Sequence, residues 1–291
     1  MLSLTFCEGL DRNRTIILAM KNMKKLIFLT LTYVIPNLIY AQKQPLFQSE
    51  SSFIIESVAK QGKVKTIRAT SFDIINLSGQ ITAGKISSRT TEIGLWTNYL
   101  REYNNKGLLI SETNYSKENK IINIDQYTYS LIDILSERCS YTSDGILSVK
   151  EIYEYPTPQK TLSSIYNSDG DLYQLNTWDE SNNTIVHTSA SATFNTIYTY
   201  RAYVNDDRQI TSIKRTETSL QGTPREFILY SDYKYDSYGN IIRYRREYNK
   251  YTDSYFITYQ YDEHNNWVKA TVSKGDGLIP IMLIKRIITY Y

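Results

Sequence analysis

The sequence predicts an all-β protein: a repetitive antiparallel β-hairpin meander, forming an extended, twisted or curled sheet, after an N-terminal signal peptide. Three observations predict it. Nine times an aromatic residue stands three to six positions ahead of a tight-turn cluster, with strand-like sequence on both sides. Tyrosine is over-used, at 27 Tyr against 8 Phe and 3 Trp, and Tyr suits a pleated, half-buried surface where its ring packs and its hydroxyl reaches water. Only 6 Pro interrupt the chain, and period-two alternation of apolar and polar residues prevails over any long helical pattern.

The N-terminus reads as a leader. Met23-Lys24-Lys25 precede an apolar run over 26–35, then Pro36, then Leu38-Ile39-Tyr40-Ala41-Gln42. That order is a charged region, a short apolar region and a small residue at a cleavage point. The run is about half of the ~20 residues a bilayer span needs. Gln42 is not the Cys that a lipoprotein requires. Residues 1–19 resemble neither leader nor domain, so Met20 and Met23 stand beside Met1 as possible starts. Residues 42–61 read as a linker with one apolar cluster, Phe53-Ile54-Ile55, and residues 62–291 as the repeat domain.

The repeats begin at Gly62, with alternation through Ile67, then Phe72-Asp73 and a turn at Asn76 to Gly79. Further copies start at Tyr103, Tyr115, Tyr141, Tyr166, Trp178, Tyr203, Tyr235 and Tyr261. Their turns carry Gly107, Asn119, Gly145, Gly170, Asn182-Asn183, Asp206-Asp207, Gly239 and Asn265-Asn266. Gly, Asn and Asp tolerate the positive φ that tight hairpins demand. Tyr103, Tyr115, Tyr129 and Tyr141 are 12, 14 and 12 residues apart, the interval that one strand and one turn fill. Strands joined by such short turns must run antiparallel. The segments around Ser189 to Ala192 and Gln221 to Pro224 read as loops. The end strands near residues 62 and 291 must be capped, covered or paired, because a free edge invites association.

Composition narrows the function classes. Residues 1–41 hold the whole excess of basic residues, so residues 42–291 carry 28 basic and 28 acidic residues. A neutral chain has no overall field to gather phosphates, and nucleic acid is not an expected partner. The cluster Arg243-Tyr244-Arg245-Arg246 reads as a solvated strand face paired with acidic neighbours. Cys7 lies upstream of the predicted cleavage point, which leaves Cys139 alone, and Cys139 reads as a small packed side chain.

No catalytic constellation stands out. His187 and His264 are isolated, and no metal-ligand spacing, phosphate loop or nucleophile elbow occurs. No cofactor and no metal is implied. The carboxylate pairs Asp169/Asp171 and Asp179/Glu180 fall in predicted turns, where Asp binds its own backbone. Trp178 and Trp267 are the individual candidates for ligand binding, since an exposed ring can stack on a sugar or anchor a partner.

The copy Tyr235-Asp236-Ser237-Tyr238-Gly239-Asn240-Ile241, and Tyr261-Asp262 with Asn265 in place of Gly, resemble the YD repeat of the RHS family. The likeness covers roughly residues 62–291 and is nearest to small exported YD-repeat-like proteins of Bacteroidetes. In large RHS proteins such repeats form a β-sheet coiled into a shell around a toxin. This chain is too short for a shell, lacks the D-P-x-G motif that ends an RHS core, and has no cargo after Tyr291. The resemblance therefore implies the repeat architecture and not the toxin. The expected function is an exported, non-enzymatic binding or structural module of the envelope or extracellular space, with a protein or glycan partner. An envelope hydrolase using the turn carboxylates, or a toxin-associated accessory protein, is the alternative.

Overall fold

One turn, used eight times among the described residues, organises the chain. Asp236 shows its chemistry. The carboxylate accepts the N–H groups of Tyr238 at 2.9 Å and Asn240 at 2.8 Å. The Asp236 carbonyl accepts Gly239 N–H at 3.1 Å, and its N–H donates to the Asn240 carbonyl at 2.9 Å. Asn104, Ser116, Ser130, Thr142, Asn167, Asn205 and Asp262 hold the same place in seven more hairpins, with the same two backbone bonds. Three residues on, Gly107, Asn119, Asp133, Gly145, Gly170, Arg208, Gly239 and Asn265 all have φ between 59° and 83°. This is a type I turn, a left-handed residue and a bulge in the returning strand. The register slips beside the leading residue in all eight.

The computed structural model describes residues 62–77, 80–87, 98–191, 196–219, 225–248, 251–276 and 278–291. The leader, the linker and the loop read at 221–224 lie outside them. The described strands are β1 (Val64–Leu77), β2 (Gln80–Ile86), β3 (Tyr99–Tyr103), β4 (Leu109–Tyr115), β5 (Ile121–Tyr129) and β6 (Leu135–Thr142). They continue as β7 (Leu147–Thr157), β8 (Lys160–Asn167), β9 (Leu172–Ser181), β10 (Thr184–Ser191), β11 (Thr196–Val204) and β12 (Ile210–Ser219). The last are β13 (Arg225–Tyr235), β14 (Ile241–Tyr248), β15 (Tyr251–Tyr261), β16 (Trp267–Lys274) and β17 (Ile279–Tyr290).

The expected meander is present, and it closes. From β3 to β17 each strand pairs antiparallel with the next. β1 then bonds β17 along one edge and β3 along the other, so sixteen strands form a closed barrel. β2 folds back on the distal half of β1, from Leu77↔Gln80 to Phe72↔Ile86. The first and last described strands thus satisfy each other, and Tyr291 N–H donates to the Lys63 carbonyl at 2.9 Å.

Some readings shift in detail. Ser130-Leu131-Ile132-Asp133 is a full copy of the turn, hidden because Asp133 carries the positive φ of 62°. The copy at Tyr203 is led by Val204 instead. Trp178 lies mid-strand, and its hairpin ends in a two-residue turn at Asn182 and Asn183, whose φ values are 42° and 59°. Ser189 to Ser191 belong to β10, not to a loop. Asp179 and Glu180 lie in β9, not in a turn.

The turn is chiral, and a meander uses it in two orientations. Turning the strand pair over to make the next hairpin also turns over the sheet face. At the end where Lys63 meets Tyr291, the leading residues point inward, paired with the first residue of the returning strand: Tyr103 with Leu109, Tyr129 with Leu135, Val204 with Ile210, Tyr235 with Ile241 and Tyr261 with Trp267. At the far end the equivalent pairs, Tyr115 with Ile121, Tyr141 with Leu147 and Tyr166 with Leu172, point outward. Burial follows. Leu135 and Trp267 are each 1% exposed, whereas Ile121 is 40% and Leu172 43% exposed. The seam end is therefore lined by a packed apolar core.

Bulges leave carbonyls without ladder partners, and tyrosines satisfy them. Tyr129 Oη donates to the Leu109 carbonyl at 2.8 Å, Tyr235 to Ile210 at 2.7 Å and Tyr259 to Ile241 at 2.8 Å. Tyr291 does the same for Tyr103. Asp236 and Asp262 in turn accept from Tyr261 and Tyr290 of the following strands. Burial alone would raise the Asp236 carboxyl, but the Tyr261 hydroxyl and the Asn240 amide hold it below its ordinary value. Phenylalanine could fill the same space but not make these bonds, which is the physical reason for the excess of Tyr.

Candidate binding surface on the inward face

Strand alternation sends every second residue into the barrel. Midway along β3 to β9, most of those residues are charged or carry hydroxyls or amides. Arg101 Nε donates to Glu112 Oε2 at 2.6 Å. Arg138 lies between two carboxylates, with Nε 3.1 Å from Glu151 Oε2 and Nη1 3.7 Å from Asp125 Oδ1. Ser163 Oγ donates to Glu151 Oε1 at 2.6 Å, Asn176 Nδ2 to Ser163 Oγ at 3.1 Å and Gln174 Nε2 to Asn176 Oδ1 at 2.8 Å. Burial pushes the Asp125 carboxyl up, and Arg138 only partly opposes it.

The other half of the inward face is aromatic. Tyr244 stacks on Tyr255 at 4.9 Å between centroids and lies 6.1 Å from Tyr233 and 6.0 Å from Tyr230. Trp267 packs against Tyr259 at 5.5 Å, with the Arg286 guanidinium 3.4 Å above its ring. Arg286 also donates to Tyr99 Oη at 2.8 Å, bridging β17 and β3 across the closing strand.

Trp178 and Trp267 thus both sit on the inward face, and both are buried. Trp178 is 5% exposed and stacked on His187 at 4.7 Å; His187 meets Tyr200 at 5.6 Å on its other side. Burial lowers the His187 pKa to about 4. A folded value below the unfolded one favours the neutral ring, so this stability is present above about pH 6.5 and is lost as pH falls towards 4. The loss amounts to about 3 kcal/mol. Denaturant unfolding at pH 7 and pH 4 checks it: His187→Phe keeps the stack and should abolish this part of the acid sensitivity.

The remaining sequence candidates lie elsewhere. Asp169 and Asp171 donate their backbone N–H groups to Asn167 Oδ1, so the asparagine organises that turn. Asp179 faces Lys160 at 3.8 Å, and Glu180 is bonded to Arg208. Arg243 pairs with Asp232 at 2.9 Å, in line with a solvated face. Cys139 is half-buried on the outer wall, where Sγ lies 3.3 Å from Glu137 Oε1. Among the described residues no group of three or more His, Cys, Asp or Glu side chains is gathered to hold a metal ion. The inward network escaped sequence reading because its members stand on separate strands, one charged residue to each.

The outward face is also charged. Glu137 and Lys150 pair at 2.7 Å in the middle of β6 and β7. Glu154, Arg201, Lys234 and Lys285 are exposed on strands distributed around the ring. No helix among the described residues is long and apolar enough to cross a membrane.

No protein-family model matches the chain. No curated protein matches it. Among solved structures, it is similar to a porin-like protein from Bacteroides uniformis, at 14% identity over 79% of this chain and 98% of that one, with a TM-score of 0.35.

Proposed function

We propose that the chain is an exported, non-enzymatic β-barrel of YD-repeat type that works as a binding module in the aqueous envelope space or outside the cell. The outer wall carries this reading. A barrel embedded in lipid shows an apolar outward band, and each Lys or Arg at its midplane costs ~2–4 kcal/mol. Here Lys150, Arg201 and Lys285 stand on separate outward strands together with acidic residues. The leader read at 23–41 supports export. The Tyr-Asp turns with their cross-repeat hydroxyl bonds support the YD-repeat assignment.

The test is behaviour without detergent. The exported chain, purified from aqueous fractions, should run as a monodisperse β-rich species on size exclusion and stay at the bottom of a flotation gradient with phosphatidylethanolamine–phosphatidylglycerol vesicles. A chain that floats with the vesicles, or that needs detergent to remain folded, refutes the proposal.

A further inference from the structure

Closure of the ring leaves one strand with a bare side. β17 pairs with β1 from Val64 to Asp73, and β3 pairs with it from Thr66 to Ala69. Over residues 74–77, β1 pairs with β2 alone among the described strands, in the rungs Leu77↔Gln80, Asn76↔Ile81, Ile75↔Thr82 and Ile74↔Ala83. β2 in turn pairs with no described strand but β1. Successive residues of a strand face opposite sides. Ile75 and Ile81 therefore stand on the two faces of this ribbon, 44% and 38% exposed.

A two-stranded ribbon with both faces wet is marginally stable in water, and a third strand ordinarily secures it. Its bare edge is also a template for another strand. The chemistry of the ribbon selects that strand. Residues 74–77 and 80–86 carry four isoleucines, no proline and a single charge, Lys85. Low charge with β-branched side chains is the composition of segments that pair with their own copies. A strongly acidic or basic strand would find almost nothing here to match. β2 also complements itself. Laid antiparallel with Ala83 against Ala83, two copies of Gln80–Ile86 overlap over their whole length. Each Ile81 then lies against the partner's Lys85, whose aliphatic stem can cover it, and no like charges meet.

We propose that two copies of the chain join through β2, edge to edge and antiparallel about a two-fold axis, with Ile81 against the partner's Lys85, into a continuous four-stranded sheet β1–β2–β2–β1. The proposal goes beyond the binding-module reading and does not depend on what the module binds. The experiment is sedimentation equilibrium of the purified full chain, with charges placed at the edge. The parent should be a dimer at micromolar concentration. Ile81→Lys sets lysine against the partner's Lys85 twice, by symmetry, and should weaken the dimer by about tenfold or more. Adding Lys85→Glu to that variant makes both contacts attractive and should restore the dimer. Position 81 is exposed, so the far-ultraviolet spectrum should stay that of the parent in both variants. A parent that is monomeric at every concentration overturns the proposal, whatever else covers β2. So does a dimer that Ile81→Lys leaves as tight, or one that Lys85→Glu fails to restore.

Discussion

Arg138→Met should lower the unfolding free energy by about 3 kcal/mol at pH 7, because breaking a buried ion pair strands its partners. Arg138 is the cation between Asp125 and Glu151, whose side chains are only 7% and 5% exposed. Methionine keeps most of the aliphatic stem, so the loss reports charge and not volume. The pH dependence carries a definite sign. Asp125 already has a raised carboxyl pKa in the fold, chiefly through burial. Without the guanidinium it rises further. A folded value above the unfolded one gives stability that is full below the unfolded pKa and is lost as pH rises through the folded pKa. The deficit of the variant should therefore shrink between pH 7 and pH 4, and Asp125→Asn in the same chain should recover part of it at pH 7. Urea titrations at both pH values measure this. A loss under about 1 kcal/mol at pH 7 would mean that water reaches the pair freely, as at surface sites.

The second large effect tests the two faces of the repeated turn. Trp267 and Leu172 occupy the same position in two copies of one hairpin, the first residue of the returning strand. Trp267→Ala removes a fully packed ring from the seam end and should cost about 4 kcal/mol. Leu172→Ala, at the outward-facing end, should cost less than about 1 kcal/mol. Equal losses from the two variants in the same denaturant series would contradict the alternation of facing that the chirality of the turn imposes.

Much of the fold was legible in local chemistry. Gly107, Gly145, Gly170 and Gly239 mark turns because few other residues tolerate their φ, and the Tyr ahead of each marks the strand end. Closure was not legible, because it depends on β1 meeting β17, a pairing no local pattern encodes. The facing of each aromatic was hidden as well. A bulge shifts the period-two pattern by one beside every such turn, so Tyr103 and Tyr115 look alike in sequence and point to opposite sides. Trp178 and Trp267 were visible as large rings, but not as buried ones. The network around Arg138 was invisible, since Glu112, Asp125 and Glu151 each read as one more charge on a mixed strand.

The seam has a consequence in time. Apart from β1 with β3, which stand on either side of β2, every other pairing of the ring joins strands that follow one another in the chain, and these can form as soon as both have left the ribosome. Pairing of Ile67 with Ile288 must wait until β17 is out. Until then the growing sheet has two raw borders, and a chain cut short anywhere in β17 would keep them. The ring can therefore lock only after every hairpin between β3 and β17 has been made.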